Sequence, residues 1–167
     1  MPTSTSSSTS PSAHPSTGPS ADSSADPSAS PSASPSDLFR HGLGLLARGD
    51  MEGWIALFAE DAVAEFPFAP DGYPRRLEGL AALAPYLRGL SDHIAYDAFP
   101  YVEIHETGEP GTIVAEMRAE GRVVATGGPF EMAYVAVVTV GDGLIVRYRD
   151  YWNPLAIPAS LTAAVHG

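Results

Sequence analysis

Arg147-Tyr148-Arg149-Asp150-Tyr151-Trp152-Asn153-Pro154-Leu155 ends the last strand pattern of the chain. Its first six residues hold two arginines, two tyrosines, an aspartate and a tryptophan, in a chain only 17% charged. Side chains alternate across a strand, so Val146, Tyr148, Asp150 and Trp152 share one face, and Arg147, Arg149, Tyr151 and Asn153 share the other. A carboxylate among aromatics on the inward face of a sheet is costly unless it is paired or has a function. Pro154 has no N–H and stops the ladder. Asp150 is therefore the first candidate for chemistry, and the rest of the folded part is read as its scaffold.

Working back from this strand, Leu144–Trp152 is joined to a long apolar strand, Phe130–Val140, by the hairpin turn Gly141-Asp142-Gly143. A turn over 126–129 leads back to Thr112–Glu120, where Val114, Glu116, Arg118 and Glu120 oppose Ile113, Ala115, Met117 and Ala119. That strand is expected to run on to Val124 through a bulge at Gly121. A turn over 108–111 separates it from a strand over 93–106, broken at Pro100. Upstream the period becomes helical. A first helix runs from Leu38 to Arg48, with Ser36 or Asp37 as its cap and Phe39, Leu43 and Leu46 on one stripe. Gly42 and Gly44 weaken it by roughly 1 kcal/mol each. Asp50 caps a second helix over 51–59, with Trp54 read as core; a strand over 61–68 and a turn-rich loop over 70–74 follow. A third helix over 77–90 places Leu80, Leu83 and Leu87 together and contains Pro85. The class is α+β: a cone-shaped, curved antiparallel sheet with about three helices on its concave face. A pocket between sheet and helices is the expected ligand site.

Composition narrows the function further. Residues 1–36 are almost all Ser, Pro, Ala and Thr, without an aromatic ring, so a disordered tail is expected there and a single domain over 37–167. The chain has no cysteine, which excludes disulfides and thiolate chemistry. It has no apolar run near the roughly 20 residues of a membrane span and no basic, apolar leader, so a cytoplasmic protein without membrane contact is expected. Net charge is −11 with no lysine, and no basic patch offsets it, so nucleic acid is excluded as a partner. No histidine or carboxylate spacing suits a metal and no glycine-rich loop suits a nucleotide, so no cofactor is expected.

Three pieces of the chain carry a family resemblance: Ala47-Arg48-Gly49-Asp50 with Leu57–Val63, the hairpin Val140–Ile145, and Arg149-Asp150-Tyr151-Trp152-Asn153. On these the chain resembles the SnoaL-like family of the nuclear transport factor 2-like superfamily. That superfamily includes polyketide cyclases, ketosteroid isomerases, limonene-type epoxide hydrolases and members without catalysis, and its fold alone does not choose among them. Against the isomerase pattern, Phe66 stands at the position of the catalytic base, Gly42 near that of the helix tyrosine, and Val135 near that of the protonated acid, so proton abstraction next to a steroid-like ketone by that route is not expected. The hydrolase pattern, an arginine bridging two acids, resembles Arg118-Ala119-Glu120 with Asp150. The cyclase pattern asks only for an acid on the last strand, which Asp150 supplies.

The resemblance implies acid/base catalysis without a cofactor on a small apolar substrate of natural-product metabolism: cyclisation, isomerisation or epoxide opening. It also implies a homodimer through the sheet. In this reading Asp150 is the central acid/base, Arg118 orients it and tunes its pKa, and Glu120 is the partner carboxylate. Tyr148, Trp152, Tyr134, Phe66, Phe68 and His41 are the expected substrate contacts. The competing class is a non-catalytic binding or assembly domain. There Arg118, Glu116 and Glu120 form a solvated face and Asp150 a structural ion pair with Arg118 or Arg149.

Overall fold

Helix α1 (Pro35–Ala47) begins where Ser34, in extended conformation, accepts a hydrogen bond from the Asp37 backbone N–H at 3.1 Å. Pro35, whose fixed φ suits the first helical position, moves the start upstream of the expected Ser36 or Asp37 cap. The computed structural model describes residues 33–157. The tail expected over 1–36 falls largely outside them, as does most of 156–167. Asp50 caps α2 (Met51–Ile55) as expected, accepting from Gly53 N at 2.8 Å. That helix is shorter than its apolar spacing suggests, because Leu57 already accepts a hydrogen bond from Ile145 N and Phe58 enters the sheet.

Strand β1 (Phe58–Glu65) is followed by a short β2 (Arg76–Glu78), which the turn-rich sequence conceals. Gly79, at φ +78°, swings the chain into α3 (Leu80–Ser91), three residues later than expected. The remaining strands are β3 (Ile94–Glu106), β4 (Thr112–Val123), β5 (Pro129–Gly141) and β6 (Leu144–Trp152). Asp142 and Gly143, both at positive φ, make the two-residue turn that joins β5 to β6. The sheet order is β2-β1-β6-β5-β4-β3. Every pairing is antiparallel except β1 with β6, which is parallel, so the sheet is mixed and not antiparallel throughout. The cause is topological. The chain crosses from β1 to the far edge through α3, and three successive hairpins bring β6 back beside β1 in the same direction.

The irregularity expected at Gly121 lies instead in β3, between Tyr96 and Tyr101, while β4 pairs with β5 without a break from Thr112 to Arg122. Gly121 serves a close approach: a Cβ there would stand 2.1 Å from the Ala95 carbonyl oxygen. The helices cover one face of the sheet. Ile113, Ala115, Met117 and Ala119 of β4 and Met132, Ala136 and Val138 of β5 are buried beneath them with Phe39, Leu83 and Trp54. Each large side chain of this kind contributes roughly 1.5–3 kcal/mol by leaving water. Among the described residues no helix is long and apolar enough to cross a membrane.

Candidate functional site

The inward face of β6 points Tyr148, Asp150 and Trp152 into a cavity of about 360 Å³ between sheet and helices. Eleven aromatic side chains line it, among them Trp54, Phe58, Phe66, Tyr86, Tyr96 and Tyr134. Among the described residues Asp150 is its sole carboxylate, and no arginine reaches its wall. Tyr148 is set by its packing against Phe39, Trp54 and Phe58, with ring centroids 5.9–6.5 Å away. Tyr73, from the loop between β1 and β2, packs edge-on against Trp152 at 6.0 Å. Gly42 is where the Trp54 ring crosses α1: a Cβ would lie 2.3 Å from Trp54 Cζ3.

Asp150 has no salt-bridge partner among the described residues. Its Oδ1 is shut off from solvent and makes no hydrogen bond. Burial pushes its carboxyl up from 3.8 to about 7, since the charged form loses its hydration and gains no donor in return. The phenols around it are raised as well. For Tyr86, Tyr96, Tyr134 and Tyr148 burial is the first cause, and the charge on Asp150 adds to it; Tyr96 is pushed up to about 12. These hydroxyls stay protonated at neutral pH. The Tyr96 and Tyr134 hydroxyls meet at 3.2 Å, one donating to the other, and the second proton of the pair has no acceptor among the described residues. Asp150 pairs with Ala136 in the ladder and Trp152 with Tyr134. Tyr134 is thus the diagonal neighbour of Asp150 on the same face, about 7–8 Å away along the backbone.

Four of the expected substrate contacts, Tyr148, Trp152, Tyr134 and Phe66, line the cavity. Phe68 does not: it is 56% exposed and packs its ring on Tyr151 outside the sheet. His41 is exposed on the solvent side of α1 and does not reach the cavity. Arg118 and Glu120 do not join Asp150. Both are exposed on the outer face of β4, where Arg118 lies 3.5 Å from Glu131, because the other parity of that strand carries the apolar side chains the helices cover. The alternative ion pair of Asp150 with Arg118 or Arg149 does not form either, as Arg149 belongs to the opposite face of β6. Val135 also faces out, at 38% exposure; the inward residue beside it is Tyr134.

Tyr73, Tyr86, Tyr96 and His93 also line the cavity, although sequence reasoning does not select them. Two of them carry a signal. Tyr86 lies on the stripe of Leu83, Leu87 and Leu90, and Tyr96 has the parity of the buried Ile94. Tyr73 and His93 come from turns, where periodicity says nothing.

A six-stranded curved sheet closed by helices over an aromatic-rich cavity defines the class: a nuclear transport factor 2-like fold with an internal chamber. Within it, the SnoaL-like domain model matches residues 39–148, and the chain belongs to that family. YesE of Bacillus subtilis, itself uncharacterised, is 38% identical over 121 residues, which cover 72% of this chain and 82% of that protein. The crystal structure of a proposed isomerase from Bacillus subtilis superposes with a TM-score of 0.70 at 38% identity, over 73% of this chain and 88% of its own. A Δ5-3-ketosteroid isomerase from a Mycobacterium species superposes with a TM-score of 0.63 at 26% identity, over 75% of this chain and 98% of its own.

Proposed function

We propose that this protein is a cofactor-independent acid/base enzyme of the isomerase or cyclase type, acting on a small, largely apolar substrate with Asp150 as the proton carrier. One observation carries the reading: the Asp150 carboxyl faces an aromatic chamber, has its Oδ1 unpartnered, and is held by burial at about 7. A group near neutrality is present in both protonation states, so it can take a proton at one atom of a substrate and return it at another. The spare O–H of the Tyr96–Tyr134 pair is the donor for the oxygen on which negative charge develops, and its strength is raised by the bond between the two phenols. Similarity to a ketosteroid isomerase and to a proposed isomerase supports an isomerase or cyclase role at the level of the fold, since Phe66 replaces the isomerase's base here, and names no substrate. Epoxide opening by an arginine-bridged acid pair is not part of the proposal, because Arg118 and Glu120 stand outside the chamber.

The test uses nitrobenzisoxazole, a flat apolar probe whose ring opens on loss of a single proton. Its conversion should rise with pH through about 7, following the ionised Asp150. Asp150→Asn should lower it about 100-fold or more while circular dichroism and thermal melting report an intact fold. Unchanged turnover in a folded Asn variant removes Asp150 from the chemistry.

A further inference from the structure

The chamber holds one carboxyl group and, among the described residues, no strong base or bonded donor to compensate its ionised form. Arginine is absent from its wall, and the chain has no lysine. The titratable groups that line the chamber with Asp150 are Tyr148 from its own strand, Tyr134 from β5, Tyr96 from β3, Tyr86 from α3, Tyr73 from the β1–β2 loop, and His93 at the turn between α3 and β3. In a structural network one of these would bond to the carboxylate, since buried polar groups are nearly always paired. None does: Tyr96 and Tyr134 bond to each other, and Asp150 Oδ1 is left unpartnered. The rest of the wall is apolar: aromatic rings, whose faces carry partial negative charge, three methionines, and aliphatic side chains such as Leu83 and Leu87. A lone carboxylate in an apolar chamber rich in aromatic rings complements a positive charge on an apolar body.

We propose that this chamber binds an organic cation, an apolar ring or chain carrying one protonated or quaternary nitrogen seated between Asp150 and the surrounding tyrosine and tryptophan faces. Desolvation of the carboxylate is already borne by the fold, so the ligand adds only its own dehydration, which is smallest when the charge is spread over alkyl groups. A net charge of −11 raises the concentration of cations near the protein and lowers that of anions. The proposal goes beyond the enzymatic reading, which requires only a proton on Asp150, and the two fail separately.

Phenyltrimethylammonium and tert-butylbenzene have the same shape and differ in charge. Both tryptophans of the chain, Trp54 and Trp152, line the chamber, so intrinsic fluorescence reports its occupancy. At about pH 9, with Asp150 ionised, the cation should bind about tenfold or more tighter than its neutral twin. The preference should collapse at about pH 5, and in Asp150→Asn at either pH, while tert-butylbenzene binding persists and shows that the chamber is intact. His93→Gln should leave this pH dependence in place, which assigns it to Asp150. Equal or tighter binding of the neutral twin at about pH 9, binding of neither probe, or a preference that survives in Asp150→Asn overturns the proposal. If the Asn variant does not fold, the two probes compared on the native chain at both pH values still decide between binding and its absence. Loss of nitrobenzisoxazole turnover in the Asn variant together with a neutral preference would leave the enzymatic reading standing and remove the cation.

Discussion

On the outer face of β6, Arg147 donates two hydrogen bonds to Glu65, at 2.7 and 3.0 Å, and Arg76 of β2 donates a third to the same carboxylate at 2.7 Å. On the inner face, three residues along the same strand, the Asp150 carboxyl has an oxygen buried without any donor. The two acids respond in opposite directions. The Arg147 and Arg76 guanidiniums hold Glu65 below the usual carboxylate range, although partial burial works against them, while burial alone lifts Asp150 to about 7. Outside, charge is used to join β1, β2 and β6. Inside, the fold leaves a buried carboxyl without a partner, which is the kind of cost that functional sites retain.

The largest test of this contrast is the dependence of stability on pH. Unfolded, Asp150 titrates near 3.8; folded, it keeps its proton to about 7. The folded state therefore binds the extra proton in between. The contribution of Asp150 to stability is full below about 4 and is lost as pH rises through about 7. Asp150→Asn removes that loss, so it should stabilise the protein above pH 7 by up to roughly 4 kcal/mol relative to its effect near pH 4. Urea melts at both pH values measure it. A pH-independent difference would mean that the inner carboxylate is not strained by burial.

Glu65 should behave in the reverse sense and more weakly. Its lowered pKa contributes stability above the usual carboxylate range, and that contribution is lost as pH falls through the lowered value. Glu65→Gln should cost about 1 kcal/mol at neutral pH and progressively less in acid, without altering probe turnover. A turnover loss comparable with that of Asp150→Asn would break the division of labour between the faces. The smallest effect belongs to Arg118→Ala and Glu120→Gln on the outer face of β4. Each should change stability by no more than about 0.5 kcal/mol and leave turnover of nitrobenzisoxazole unaltered. A marked loss in either would return the arginine-bridged acid pair to the mechanism.

The inward orientation of Asp150 is legible in the alternation of six residues, as are the Asp-Gly turn before β6, the Asp50 cap, and the grouping of helices ahead of hairpins. The two faces of β4 are also legible as faces. The resemblance to an acid–arginine–acid pattern turns Arg118 and Glu120 inward, and burial of Met117 and Ala119 reverses that assignment. β2 is hidden because three residues carry too little periodicity of their own, so Leu77 and Glu78 read as the start of the third helix, and Val63–Glu65 supplies the partner that makes them a strand.

Local chemistry thus specified most of the elements, the hairpin chain and the residue at the centre of the candidate site, because alternation, capping and turn propensity act between residues a few positions apart. The tertiary structure alone decided that β6 returns parallel to β1, which face of β4 meets the helices, and which phenols surround Asp150. Those outcomes depend on contacts between segments tens of residues apart, as between Tyr96 and Tyr134. They also depend on which apolar face the helices cover, and neither is encoded in the spacing of any single strand.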